Sequence, residues 1–105
     1  TADDVHGATK QTLQQHGFRF ARGEVSESDP VMPHGTGHGI GLEVHEPILL
    51  DDHGGTLLAR EVFTIEPGLY SRVHGGVRVE DMVVVSSQGA PRNLNRLPEG
   101  LDWRD

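Results

Sequence analysis

The chain opens on a stretch whose apolar positions recur at helical spacing. Val5, Ala8, Thr12 and Leu13 form a modest stripe, which predicts a helix over residues 2 to 16. Thr1 is placed to act as N-cap, and Asp3 and Asp4 fall in the first turn, where the helix dipole favours negative charge. Gly17 is the expected C-cap. Residues 22 to 30, RGEVSESDP, are polar and read as a loop, and a glycine-rich stretch follows. EPILLDDHGG, residues 46 to 55, is a short apolar run and then a turn. EVFTIEPGLY, residues 61 to 70, alternates around β-branched and aromatic residues and reads as a strand as far as Pro67. GGVRVEDMVVV, residues 75 to 85, is the second clear strand and the most apolar run. SSQGAPRNL is turn chemistry, and the last residues are expected to form a loosely packed tail.

Side chains alternate faces along a strand. Thr64 and Glu66 therefore share one face of the first strand, and Arg78 and Glu80 share one face of the second. The segment between them, PGLYSRVHGG, is long enough for an antiparallel return. If the acidic faces match, Glu66 and Glu80 meet on one side of a sheet. Two adjacent carboxylates repel, and one has its pKa raised unless a metal ion relieves the repulsion. Asp81 points to the opposite face and reads as structural.

PHGTGHGIGLEVHE, residues 33 to 46, places three histidines, two glutamates and four glycines in fourteen positions. Glycine there supplies no packing, so the backbone must bend sharply or let another group come close. Common glycine motifs fail on spacing. A dinucleotide fingerprint starting at Gly35 needs glycine where Ile40 stands, and one starting at Gly37 needs it where Leu42 stands. There is no Gly-Lys-Ser/Thr of a P-loop, no H-E-x-x-H and no G-x-S-x-G. What remains is imidazole plus two carboxylates on β structure, a normal ligand set for Zn, Mn, Co or Fe. His6, His16, His53 and His74 are expected at solvated or loop positions.

The totals narrow the class. A net charge of −7 argues against nucleic acid as a partner and is compatible with holding cations. Without cysteine there are neither disulfides nor thiolate metal sites. No apolar run approaches membrane-spanning length and no signal-peptide pattern is present, so a soluble, cytoplasmic chain is expected, without membrane partners. Its 105 residues suit one domain, yet fourteen glycines and 34% apolar content would build a thin core. This, and a start at Thr1, leads to the expectation of a piece of something larger.

HGTGHGIGLEVHE, then VFTIEPGLY, then GGVRVEDMVVV, resembles the second half of the pita-bread metallopeptidases, in their Xaa-Pro branch of aminopeptidase P and prolidase. The resemblance spans essentially the whole chain. It implies an α+β fold: half of a pita-bread architecture, with a curved antiparallel sheet and flanking helices. Residues 1 to 105 would be the C-terminal half of a catalytic domain. It implies cleavage of Xaa-Pro bonds, on peptides with proline at the second position, by a hydroxide activated on two divalent ions, Mn or Co before Zn or Fe.

By position in the motifs, the resemblance makes His38, Glu66 and Glu80 metal ligands, with Glu80 bridging. His34 and His45 line the substrate side and help stabilise the tetrahedral intermediate, Arg78 helps shape the site, and Glu66 shuttles the proton to the leaving nitrogen. Two aspartate ligands of the family have no counterpart, because Asp3, Asp4, Asp51 and Asp52 lack the motif context. A partial or empty metal site, inactive alone, is therefore expected. Relatives often carry glycine at the position of Arg60, which is expected to alter only a turn. The alternatives are a non-catalytic pita-bread module that binds peptide or protein, and a methionine aminopeptidase. EPGLY and VRVEDMVVV fit the proline-directed branch better. An exposed sheet edge would favour association of two copies.

Overall fold

The computed structural model describes residues 1–22 and 28–96. Helix α1 spans Ala2–Gln15 and is followed by nine short strands: β1 Arg19–Phe20, β2 Val31–Met32, β3 Gly37–Gly39, β4 Glu46–Leu50, β5 Val62–Ile65, β6 Gly68–Ser71, β7 Gly75–Arg78, β8 Asp81–Val84 and β9 Arg92–Asn93. The fold is α+β, as expected. The strands form two sheets, ordered β1-β2-β6-β7 and β4-β3-β5-β8-β9. Every pairing is antiparallel except β1 with β2, which is parallel, and α1 is the one helix among the described residues.

Both ends of α1 follow from sequence. Thr1 caps it: the Asp4 N–H donates to Thr1 Oγ1 at 3.2 Å, and the Asp4 carboxylate takes the Thr1 ammonium at 3.2 Å. At the other end His16 is the C-cap and Gly17, one residue later, takes the left-handed φ of 83°. The Gly17 N–H donates to the Gln14 carbonyl and the Phe18 N–H to that of Leu13, which closes the last turn as a Schellman motif. The buried face differs from the expected stripe. Ala2 and His6 are buried and Val5, Thr9 and Leu13 partly so, whereas Ala8 and Thr12 are exposed. The face is rotated because it centres on His6, a polar residue with a partner inside the protein.

The two expected strands are each divided. EVFTIEPGLY supplies β5 and β6, and GGVRVEDMVVV supplies β7 and β8. β5 pairs with β8, Ile65 opposite Asp81, and β6 with β7, Gly68 opposite Arg78. One register runs through both pairs, with the Val79 N–H on the Pro67 carbonyl at 3.2 Å between them. The result is one long hairpin that changes sheets at Glu66-Pro67 and Val79-Glu80. Proline donates no ladder hydrogen bond, which is why the break falls there. SSQGAPRNL is not all turn, since β9 pairs its Asn93 with Val83. The expected tail lies largely outside the described residues.

The core is thin. Ala2, Leu50 and Phe63 are buried together, with Val5, Ile48, Leu57, Ile65, Val83 and Val85 packed around them. Val31 and Met32 of β2 are buried as well. This core clamps β3 between β4 and β5, and β3 carries the central histidine.

Candidate active site

His38 sits in the middle of β3, 9% exposed. Its backbone N–H donates to Thr64 Oγ1 on β5 at 3.0 Å. The approach is so close that a Cβ on Gly37 would stand 1.7 Å from the Thr64 carbonyl oxygen, which explains a glycine beside the histidine. His38 Nδ1 lies 2.9 Å from the Gly39 carbonyl. A carbonyl only accepts, so Nδ1 carries the proton. In the neutral ring Nε2 then holds a lone pair, and it points at Glu66 Oε2, 3.5 Å away.

Glu66 follows β5. Its backbone N–H is held by the Thr36 carbonyl at 2.7 Å, which ties it to the histidine segment. Across the hairpin, the Glu66 carboxyl hydrogen-bonds that of Glu80. This bond, then partial burial, then the Glu66 charge raise the Glu80 carboxyl above the usual glutamate range, against the opposing pull of Arg78 and His38. The face-matching read from the alternation is therefore present. His38, Glu66 and Glu80 form a chain centred on Glu66: His38 approaches one side of its carboxyl and Glu80 bonds to it.

Arg78 Nε stands 3.3 Å from Glu80 Oε2. The guanidinium also hydrogen-bonds the Tyr70 side chain, the largest cause of its raised pKa. Tyr70 Oη lies 2.9 Å from His34 Nε2. His34 Nδ1 must donate to the Gly35 carbonyl at 2.7 Å, so Nε2 accepts and the Tyr70 hydroxyl donates. Arg78, Tyr70 and His34 thus form a directed chain of donors. His45 lies on the exposed loop before β4, its ring centroid 4.4 Å from that of His38. A cleft of about 170 Å³ collects His34, His38, His45 and Glu66, with Leu49 and Asp51.

Three contributors were not singled out by sequence reasoning. Tyr70 is one; its place two residues after buried Gly68 was the available signal. Asp51 is another, a wall of the cleft. The third is His6, expected to be solvated but fully buried. Its Nδ1 lies 2.9 Å from Thr36 Oγ1 and its ring packs edge-on against Phe20. Burial is possible because Thr36, far along the chain, supplies a polar partner. His16, His53 and His74 are exposed as expected.

The profile of metallopeptidase family M24 matches residues 1–87. The Xaa-Pro dipeptidase of Pyrococcus horikoshii is 45% identical over 93 residues, covering 88% of this chain and 24% of that protein. Among solved structures, dipeptidase PepE from Mycobacterium ulcerans superposes with a TM-score of 0.77 at 36% identity, covering 96% of this chain and 24% of that one. The X-Pro aminopeptidase of Thermotoga maritima gives a TM-score of 0.77 at 31% identity, over 95% of this chain and 26% of that one. The fold is therefore that of the matching part of these peptidases. The chain spans between 18% and 24% of the length of the first curated relatives it matches.

Proposed function

Because this chain belongs to metallopeptidase family M24, we propose that it is the C-terminal half of the catalytic domain of an Xaa-Pro peptidase. Its substrates are peptides with proline at the second position. His38, Glu66 and Glu80 would hold divalent ions, Mn or Co, in a dinuclear site whose remaining ligands lie outside this chain. The observation that carries the reading is the linked trio itself: His38 Nδ1 is held by the Gly39 carbonyl, which leaves Nε2 3.5 Å from Glu66 Oε2, and the neighbouring Glu66 carboxyl raises that of Glu80. Such a donor set fits a cation, which would relieve the carboxyl pair and take the imidazole nitrogen.

The ions would supply a bound water acidic enough to give hydroxide at neutral pH. The chain's own residues do the rest. Glu66, on the wall of the cleft, would shuttle the proton to the leaving proline nitrogen. His45, exposed on the rim beside His38, donates a hydrogen bond to the oxyanion. His34 has both ring nitrogens engaged, so it shapes the substrate side, locked in place by Tyr70 and Arg78. Leu49 provides an apolar wall. Alone, the chain is inactive and binds metal weakly, in keeping with three ligands of a larger set. Among the described residues no helix is long and apolar enough to cross a membrane.

The test is hydrolysis of Ala-Pro against Ala-Ala by the full-length gene product with Mn²⁺. Selective Ala-Pro cleavage, lost in His38→Ala, supports the reading. Equal activity in His38→Ala, or no preference for proline, refutes it.

A further inference from the structure

A second group of ligand atoms lies behind the histidine segment. His6 of α1 meets Asp51 and Asp52 in the turn after β4, and one ligand atom from each lies within 4.8 Å of the others. The His6 ring is fully buried, and its Nε2 has no hydrogen-bond partner. That nitrogen faces Asp51 Oδ1 at 3.3 Å. In the tautomer whose Nδ1–H donates to Thr36 Oγ1, Nε2 presents a lone pair to a carboxylate oxygen, and in the other Nε2–H faces it. Two such atoms repel unless a cation or a proton lies between them. Two ligands at a tetrahedral angle, each about 2.1 Å from an ion, stand about 3.4 Å apart, close to the observed gap.

We infer that His6 Nε2, Asp51 and Asp52 form a divalent-cation site behind the histidine cleft, with Asp51 as the wall between them, suited to Zn²⁺ by its one imidazole and two carboxylates. Burial holds His6 below the ordinary histidine pKa, which leaves the ring neutral and ready to ligate. Thr36 Oγ1 holds the ring in orientation through Nδ1, as a hydrogen-bond partner commonly does for a ligating histidine.

Two side-chain cations pair with the carboxylates. Arg22 pairs with Asp51, and Lys10 with Asp52 at 3.1 Å. The Lys10–Asp52 pair is exposed and of the weak surface kind, whereas Arg22 holds a mostly buried Asp51 carboxylate and is the firmer competitor. Both cations also lie over the Phe20 ring, 5.0 and 5.5 Å from its centroid, and keep that contact if they let go. A cleft of about 450 Å³ lined by Arg22, Asp51 and Asp52 opens on the carboxylate side of the group. An ion here would cross-link α1 to the turn after β4. It would brace Thr36, whose carbonyl holds the Glu66 N–H. Its role is structural.

The experiment is Zn²⁺ titration of the whole 105-residue chain by calorimetry, in a His38→Ala background that silences the cleft. One Zn²⁺ should bind with a Kd in the micromolar range. Asp52→Asn, at an exposed position that leaves the fold intact, should weaken it at least tenfold, whereas Lys10→Gln should tighten it by removing a competitor. The His6 Nε2 resonance should shift on Zn²⁺ addition. Loss of all binding with His38→Ala, insensitivity to both Asp52→Asn and Lys10→Gln, or an unmoved His6 resonance would overturn the inference.

Discussion

Glu66 and Glu80 face each other across the long hairpin and share a hydrogen bond, at the level where the hairpin leaves one sheet for the other. Such a bond requires one carboxyl to keep its proton. The raised Glu80 carboxyl marks the cost of holding two carboxyls side by side. Glu80→Gln replaces the shared proton with an amide donor. Its melting temperature without metal, at pH 7, is expected to equal or exceed that of the unmodified chain. A fall of several degrees would mean that the pair stabilises the fold by itself.

Gly37→Ala tests the close approach of β3 to β5. Its Cβ would collide with the Thr64 backbone carbonyl, so one strand must move. A destabilisation of about 1–3 kcal/mol is expected, read as a drop in the urea midpoint. The His38 N–H should also lose its exchange protection, since its acceptor is Thr64.

Arg60 adopts a left-handed φ of 74°, a conformation that favours glycine. Its side chain is exposed, and its backbone N–H donates to the Val85 carbonyl at 2.8 Å. Arg60→Gly should therefore stabilise the chain by about 1 kcal/mol, seen as a raised melting temperature. An unchanged or lower value would show that the turn is held by something else.

How much of this was visible in the sequence depends on range. The helix, its cap at Thr1 and its end near Gly17 are local signals and were legible. So was the alternation that matched Glu66 with Glu80, because period two survives through the hairpin. The change of sheet at Pro67 and Val79-Glu80 was not legible, since alternation continues unbroken across it and only the proline marks it. The burial of His6 was hidden for a different reason. A histidine on a helix reads as polar until Thr36 and Asp51 are seen beside it, and no local pattern brings those three together. Tyr70 likewise joined the candidate site only once His34 and Arg78 were found beside its hydroxyl.

The His6 and Asp51 pair sets an acid limit. Burial lowers the His6 pKa, so the unfolded chain takes up a proton there before the folded one does. For Asp51, burial pushes upward, but the Arg22 hydrogen bond and charge and the Asp52 N–H hold it below the usual aspartate range. Both effects have the same sign. Stability should be complete above the ordinary histidine value, fall as pH drops through the His6 range, and fall again as Asp51 protonates. His6→Gln should remove the first step and leave the second in a series of melting temperatures against pH.

The most direct test of the central claim is Mn²⁺ binding by calorimetry, in an Asp52→Asn background so that no ion at α1 contributes. The account predicts weak binding without Xaa-Pro turnover by the 105-residue chain, at least tenfold weaker again in both His38→Ala and Glu80→Gln. Equal affinity in all three proteins would contradict the assignment of His38 and Glu80 as metal ligands.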